Sequence, residues 1–69
     1  MKLPERMKAL RLEHHMTQEE AARALGLSMS AYCRYELGKR EPPASVLLAI
    51  AELYRVSADF LLGRPGAQP

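Results

Sequence analysis

Apolar residues along the chain fall into short runs at helical spacing, separated by capping residues and glycines. Leu3, Met7, Leu10 and His14 recur at i, i+4, i+7 and i+11, one face of a helix whose first turn tolerates Pro4. The pair His14 and His15 breaks it, with His15 as the left-handed exit residue, a place where His is enriched although Gly and Asn suit it better. Thr17 followed by Glu20 reads as a capping box opening a second helix. Met16 and Ala21 form a small hydrophobic staple across that cap, and Glu19 and Glu20 suit the helix dipole. The second helix runs through Ala21, Ala22 and Leu25 and stops at Gly26. Ser28 caps a third, Met29 to about Leu37, closed by Gly38. After the loop Lys39-Arg40-Glu41-Pro42-Pro43, Val46, Leu47, Ile50 and Tyr54 mark a fourth helix. Ser57 caps a fifth, Ala58 to Leu62, with Asp59 in its first turn and Gly63 at its end. No strand pattern and no internal repeat interrupts this series. The expectation is an all-α domain over residues 1–63 and a flexible tail over 64–69.

Composition narrows the class. The chain has 69 residues, room for one domain, and its 48% hydrophobic share is too high for a disordered tail. A domain this small buries only about 60% of its unfolded surface, so its few core residues must pack well. Cys33 is the single cysteine and cannot form an internal disulfide. The start of the chain carries no signal-peptide core, and no uncharged run is long enough to span a membrane, so the expected location is the cytoplasm. Ten Lys and Arg against eight Asp and Glu leave a net charge of +2, which permits an anionic partner without requiring one. A helix, a short turn around Gly26 and a second helix together make a helix-turn-helix signature.

The stretch from Thr17 to Pro42, TQEEAARALGLSMSAYCRYELGKREP, resembles the phage-repressor and Cro-type (XRE-like) helix-turn-helix family. The similarity extends to RMKALR before it and LLAIAELYRVSADFLLG after it, covering roughly Arg6 to Gly63. The resemblance implies a compact five-helix domain of the lambda-repressor-like type. It further implies a sequence-specific transcriptional regulator, a repressor that places its third helix in the major groove of a palindromic operator as a homodimer. The family's base readers fall on Ser28, Met29, Ser30, Cys33 and Arg34. Arg34 can pair with both O6 and N7 of guanine, whereas Ser28 and Ser30 can donate or accept at a base edge. Met29 and Cys33 stand where the family commonly carries polar residues, and suit a thymine methyl. Phosphate contacts are implied for Thr17 and Gln18, at a helix N-terminus, and for Lys39 and Arg40 in the following loop. Arg11 and Glu36 occupy the places of a structural ion pair. Ala21 is smaller, and Tyr32 larger, than the family's usual residues, so the tyrosine ring is expected to fill space above Ala21.

A second function class shares this fold: a protein-interaction module such as an antitoxin or an anti-repressor partner, with a toxin as one possible ligand. Leu12 and the Leu61-Leu62 end offer apolar surface for such a partner. A dimer contact is expected on the fifth helix and tail, including Phe60 and Leu61. Enzymatic activity is not expected. His14 and His15, being adjacent, point in different directions on a helix, and no spacing of His, Cys, Asp and Glu suggests a metal or a cofactor.

Overall fold

The computed structural model describes residues 2–66. Five helices follow in chain order: α1 (Leu3–Glu13), α2 (Gln18–Ala24), α3 (Met29–Glu36), α4 (Ala44–Tyr54) and α5 (Ala58–Leu61). Capping chemistry explains most of their starts. Glu5 reaches back to accept from the backbone N–H of Lys2 at 3.1 Å, with Pro4 in the first turn of α1. Thr17 and Glu20 close the capping box reciprocally: Thr17 Oγ1 accepts from Glu20 N at 3.1 Å, and Glu20 Oε1 accepts from Thr17 N at 2.8 Å. The hydroxyl oxygens of Ser28 and Ser57 accept from the N–H groups of Ala31 and Phe60. The third and fifth helices end one residue earlier than their patterns suggest, because Leu37 and Leu62 are the C-cap residues.

All five helices end in the same way. One left-handed residue stands just after the cap (at the cap itself in α4), and the next N–H reaches back across the last turn to a carbonyl five residues earlier. These bonds run from Met16 to Arg11, Leu27 to Ala22, Lys39 to Arg34, Val56 to Ala51 and Arg64 to Asp59, at 2.8 to 3.1 Å. The left-handed residues are His15, Gly26, Gly38, Arg55 and Gly63. Arg55, at φ 55°, was not marked by the sequence pattern; an exposed arginine carries no preference for that region.

The core collects Met7 and Leu10 from α1, Ala21 and Ala22 from α2, Tyr32 and Tyr35 from α3, Ile50 and Tyr54 from α4, and Leu61 from α5. Full burial of Met7, Ile50 and Leu61 contributes about 1.5–3 kcal/mol each. Ala21 and Tyr32 are both buried in this cluster, as the expected volume exchange requires. Leu12 is exposed, as its position on α1 suggested. Leu61 is a correction. It is 0% exposed and packs inside the domain, so it offers nothing to a partner, whereas its neighbour Leu62 is 49% exposed. Phe60 is half-buried, and the guanidinium of Arg6 stacks over its ring at 4.1 Å. In the segment expected to be a loose tail, Arg64 belongs to the cap of α5 and pairs with Asp59; Pro65 and Gly66 are exposed, and residues 67–69 lie outside the described residues. No helix among the described residues is long and apolar enough to cross a membrane.

Two stability changes of opposite sign follow from the caps. A Cβ built on Gly26 meets nothing within 4 Å, so Gly26→Ala suffers only from its φ of +70° and should lose about 1 kcal/mol. Arg55→Gly relieves the same strain and should gain up to about 1 kcal/mol; urea unfolding of both variants reads the difference. A third change probes the core. The Tyr54 hydroxyl is buried and makes no well-aligned hydrogen bond among the described residues, so Tyr54→Phe should leave the urea midpoint unchanged or raise it, unlike the loss that follows removal of a satisfied hydroxyl.

Candidate nucleic-acid interface

The face that α3 turns inward carries Tyr32, Tyr35 and Glu36, all buried, and α3 packs on both α1 and α2. Its opposite face is thereby committed to the surface. Met29, Ser30 and Arg34 are exposed there, Cys33 is half-buried, and Leu37 continues the row at 68% exposure. The spacings 29, 33, 37 and 30, 34 place these residues on adjoining i, i+4 rows of one ridge. Ser28 stands at the head of the ridge, where its hydroxyl oxygen is engaged as a cap while its proton stays available. Leu37 was read in the sequence only as a helix end; its exposed apolar side chain adds to the ridge.

The cations divide by what they already hold. Arg11, Arg23 and Arg64 are paired with Glu36, Glu19 and Asp59. Arg34, Lys39 and Arg40 are exposed and make no ion pair among the described residues. They lie at the second turn of the ridge and in the loop just beyond it, so their charge is available to an external anion. At the start of α2 the situation is more restricted than the helix terminus alone suggested. The capping box uses the N–H groups of Thr17 and Glu20 and sets a carboxylate beside them. The backbone bonds to Thr17 hold the Glu20 carboxyl below its ordinary value. Gln18 acts there through its side chain, whose Nε2 donates to Glu36 Oε1 at 3.3 Å and whose Oε1 accepts from the Cys33 thiol at 3.8 Å. Sequence reasoning missed that connection, because its ends lie fifteen and eighteen residues from Gln18.

Beneath the ridge, Arg11 and Glu36 form a two-pronged pair: Nε donates to Oε2 at 3.1 Å and Nη2 to Oε1 at 2.9 Å. Arg11 Nη1 also donates to the backbone oxygen of Met16 at 3.0 Å, which ties the pair to the turn before α2. Burial opposes the ionisation of Glu36, but the bond from Arg11 leads a set of contacts that outweighs it and holds the carboxyl below its ordinary value. The bond to Glu36 raises the Arg11 pKa against the opposing effect of burial. The Tyr32 hydroxyl is buried beside this pair without a well-aligned hydrogen bond, and burial, followed by the Glu36 carboxylate, pushes its pKa well above the usual phenol range. The His14 ring donates from Nδ1 to the Leu10 carbonyl oxygen at 2.9 Å and leans on Tyr54 with ring centres 4.9 Å apart, a packing role at the end of α1. No group of three His, Cys, Asp or Glu among the described residues could hold a metal ion.

A family model described as helix-turn-helix matches residues 7–61, nearly all of the architecture above. The chain belongs to the helix-turn-helix family of phage-repressor type. Among related helix-turn-helix proteins, the chain is 39% identical over 59 residues to the uncharacterized HTH-type transcriptional regulator YobD of Bacillus subtilis (strain 168), covering 86% of this chain and 53% of the relative. It is 39% identical over 64 residues to the HTH-type transcriptional regulator ImmR of the same organism, covering 93% of this chain and 50% of the relative. The chain thus spans about half the length of these relatives. Its fold is similar to that of the P22 c2 repressor protein, whose crystal structure is a complex with the synthetic operator 9T in the presence of Tl+. The TM-score is 0.83 at 29% identity, covering 90% of this chain and 94% of that one. The five-helix, lambda-repressor-like class that the resemblance implied is therefore the observed one.

In this helix-turn-helix domain the buried pair sets an acid limit. The folded pKa of Glu36 is depressed, so its contribution is complete above the ordinary value of 4.5 and is lost as pH falls through the lowered value. Glu36→Gln leaves the Arg11 charge buried without its partner and should cost about 3 kcal/mol at pH 7, a large part of the roughly 3–10 kcal/mol that a domain this size holds. Thermal unfolding between pH 7 and pH 3 should show the wild type losing stability below about pH 4.5, and the variant losing less over the same interval.

Proposed function

We propose that this chain binds double-stranded DNA by setting α3 in the major groove of an operator, and that it acts in the cytoplasm as a transcriptional regulator that represses by occlusion. The observation that carries this reading is the exposed ridge of α3 with Arg34 unpaired upon it, held on a frame similar to that of an operator-bound repressor. A major groove about 12 Å wide receives one helix, and a guanidinium with no internal partner loses no ion pair when it turns to a guanine edge. Met29 and Ser30 contact neighbouring base edges, Ser28 adds its hydroxyl proton, and Cys33 lies one turn on along the same face. Lys39, Arg40, the Gln18 amide and the Thr17 hydroxyl hold phosphates and set the register.

The active species in this reading is a symmetric dimer, with two copies of α3 about 34 Å apart on a palindromic site. Leu62 supports it. With Leu61 internal, Leu62 is the exposed apolar residue at that end of the domain, beside an open groove whose walls include Leu3, Pro42 and Leu47. No catalytic step forms part of the proposal.

Selection of duplexes from a random library, followed by gel shifts, tests it. Arg34→Ala should lose about 1–3 kcal/mol at a single base pair and relax preference there. Lys39→Ala and Arg40→Ala should weaken all sequences alike, and each should lower the salt slope by roughly one unit, since one phosphate fewer is neutralised. A chain with no salt-dependent duplex affinity would be a protein-interaction module instead.

A further inference from the structure

The amide of Gln18 sits between two groups that treat its ends differently. Ionised Glu36 can only accept, and its Oε1 lies 3.3 Å from Gln18 Nε2. The Cys33 thiol can donate, and its sulfur lies 3.8 Å from Gln18 Oε1. A flipped amide would set its carbonyl against a carboxylate and its NH2 against a sulfur that accepts poorly. One orientation is therefore selected from both sides, by a residue of the buried ion pair and by a residue of the DNA-facing ridge.

Resting on the DNA-binding reading above, in which the Gln18 amide meets a phosphate, we propose that Glu36 and Cys33 are positioning residues that pre-set this amide and hold its nitrogen ready. Nε2 carries two hydrogens and Glu36 takes one; the second has no partner among the described residues and can serve a phosphate oxygen. The opposite orientation would offer that oxygen a carbonyl, which repels it. The rotamer freedom of a long glutamine side chain is also spent on folding rather than on binding. In this arrangement the Cys33 thiol proton points to Gln18 rather than to a base, so Cys33 governs how tightly the domain grips any duplex more than which sequence it prefers.

A mutant cycle separates these roles. Affinities are measured for Cys33→Ala, Cys33→Ser, Gln18→Met and the double variant Cys33→Ala with Gln18→Met. Each is titrated against a selected operator and an unrelated duplex of equal length. Cys33→Ala should weaken both duplexes by the same factor, about threefold for the loss of one modest hydrogen bond. Cys33→Ser, which keeps a donor, should restore both, and Cys33→Ala should add nothing on the Gln18→Met background. Equal losses on the two backgrounds, or a change of preference at one base with the unrelated duplex untouched, would overturn the proposal. The free protein supplies an independent readout: the side-chain amide NMR signals of Gln18 should shift in Cys33→Ala and return in Cys33→Ser. If the wild type binds no duplex at all, the regulator reading falls, while these signals still decide how the amide is held. Unmoved signals would sink the positioning claim whatever the affinities show.

Discussion

The fork between Arg11 and Glu36 is the constraint on which the rest of this domain depends. Its two bonds join α1 to α3, a third reaches the Met16 carbonyl at the turn before α2, and the Gln18 amide leans on the same carboxylate. Two desolvated charges are costly, and their mutual attraction repays the cost only when every donor and lone pair is placed well. The geometry here meets that condition by using both carboxylate oxygens and three guanidinium nitrogens. What the pair contributes beyond net stability is register. A shift of α3 along its axis would leave a charge buried and alone, so the exposed ridge is held at one height relative to α1 and α2.

Around that fixed point the domain is assembled from very short helices, and their ends matter as much as their middles. An isolated helix of four to eleven residues is marginal in water, because nucleation costs more than so few bonds return. The repeated left-handed cap satisfies carbonyls that would otherwise be orphaned, and it turns the chain sharply enough for the next helix to begin within a few residues. Each helix then needs to bury only one to three side chains in a shared core. The tyrosines of that core trade size for polarity. Tyr32 and Tyr54 fill volume, but each carries into the interior a hydroxyl that makes no well-aligned hydrogen bond among the described residues. Ala21 and the large ring of Tyr32 are buried in the same cluster.

The charge distribution separates two jobs that a count of cations merges. Arginines held by carboxylates serve the fold or its surface, as Arg11 and Arg23 do, whereas Arg34, Lys39 and Arg40 are exposed at and beyond the ridge with no ion pair among the described residues. A net charge of only +2 is thus compatible with three exposed cations gathered at and just beyond one helix.

Much of this molecule was legible in its sequence because much of its structure is local. A serine or threonine cap acts over three residues, a left-handed exit over one, and apolar spacing over a turn, so Thr17, Ser28, Ser57, His15 and Gly26 each announced their roles. Arg55 did not, since its backbone is bent by the packing of α4 against α5 and its side chain has no tendency to report it. Leu61 and Leu62 show the same limit. Neighbouring residues on a helix point about 100° apart, and which of two leucines turns inward is decided by where the other helices lie. The Arg11–Glu36 pair spans twenty-five residues and could be anticipated only through resemblance, and the contacts of Gln18 with Glu36 and Cys33 not at all. Sequence determined where most helices begin and, to within a residue, where most end, since those rules act along the chain. Tertiary structure alone decided which distant polar groups meet, because that depends on how the finished helices cross.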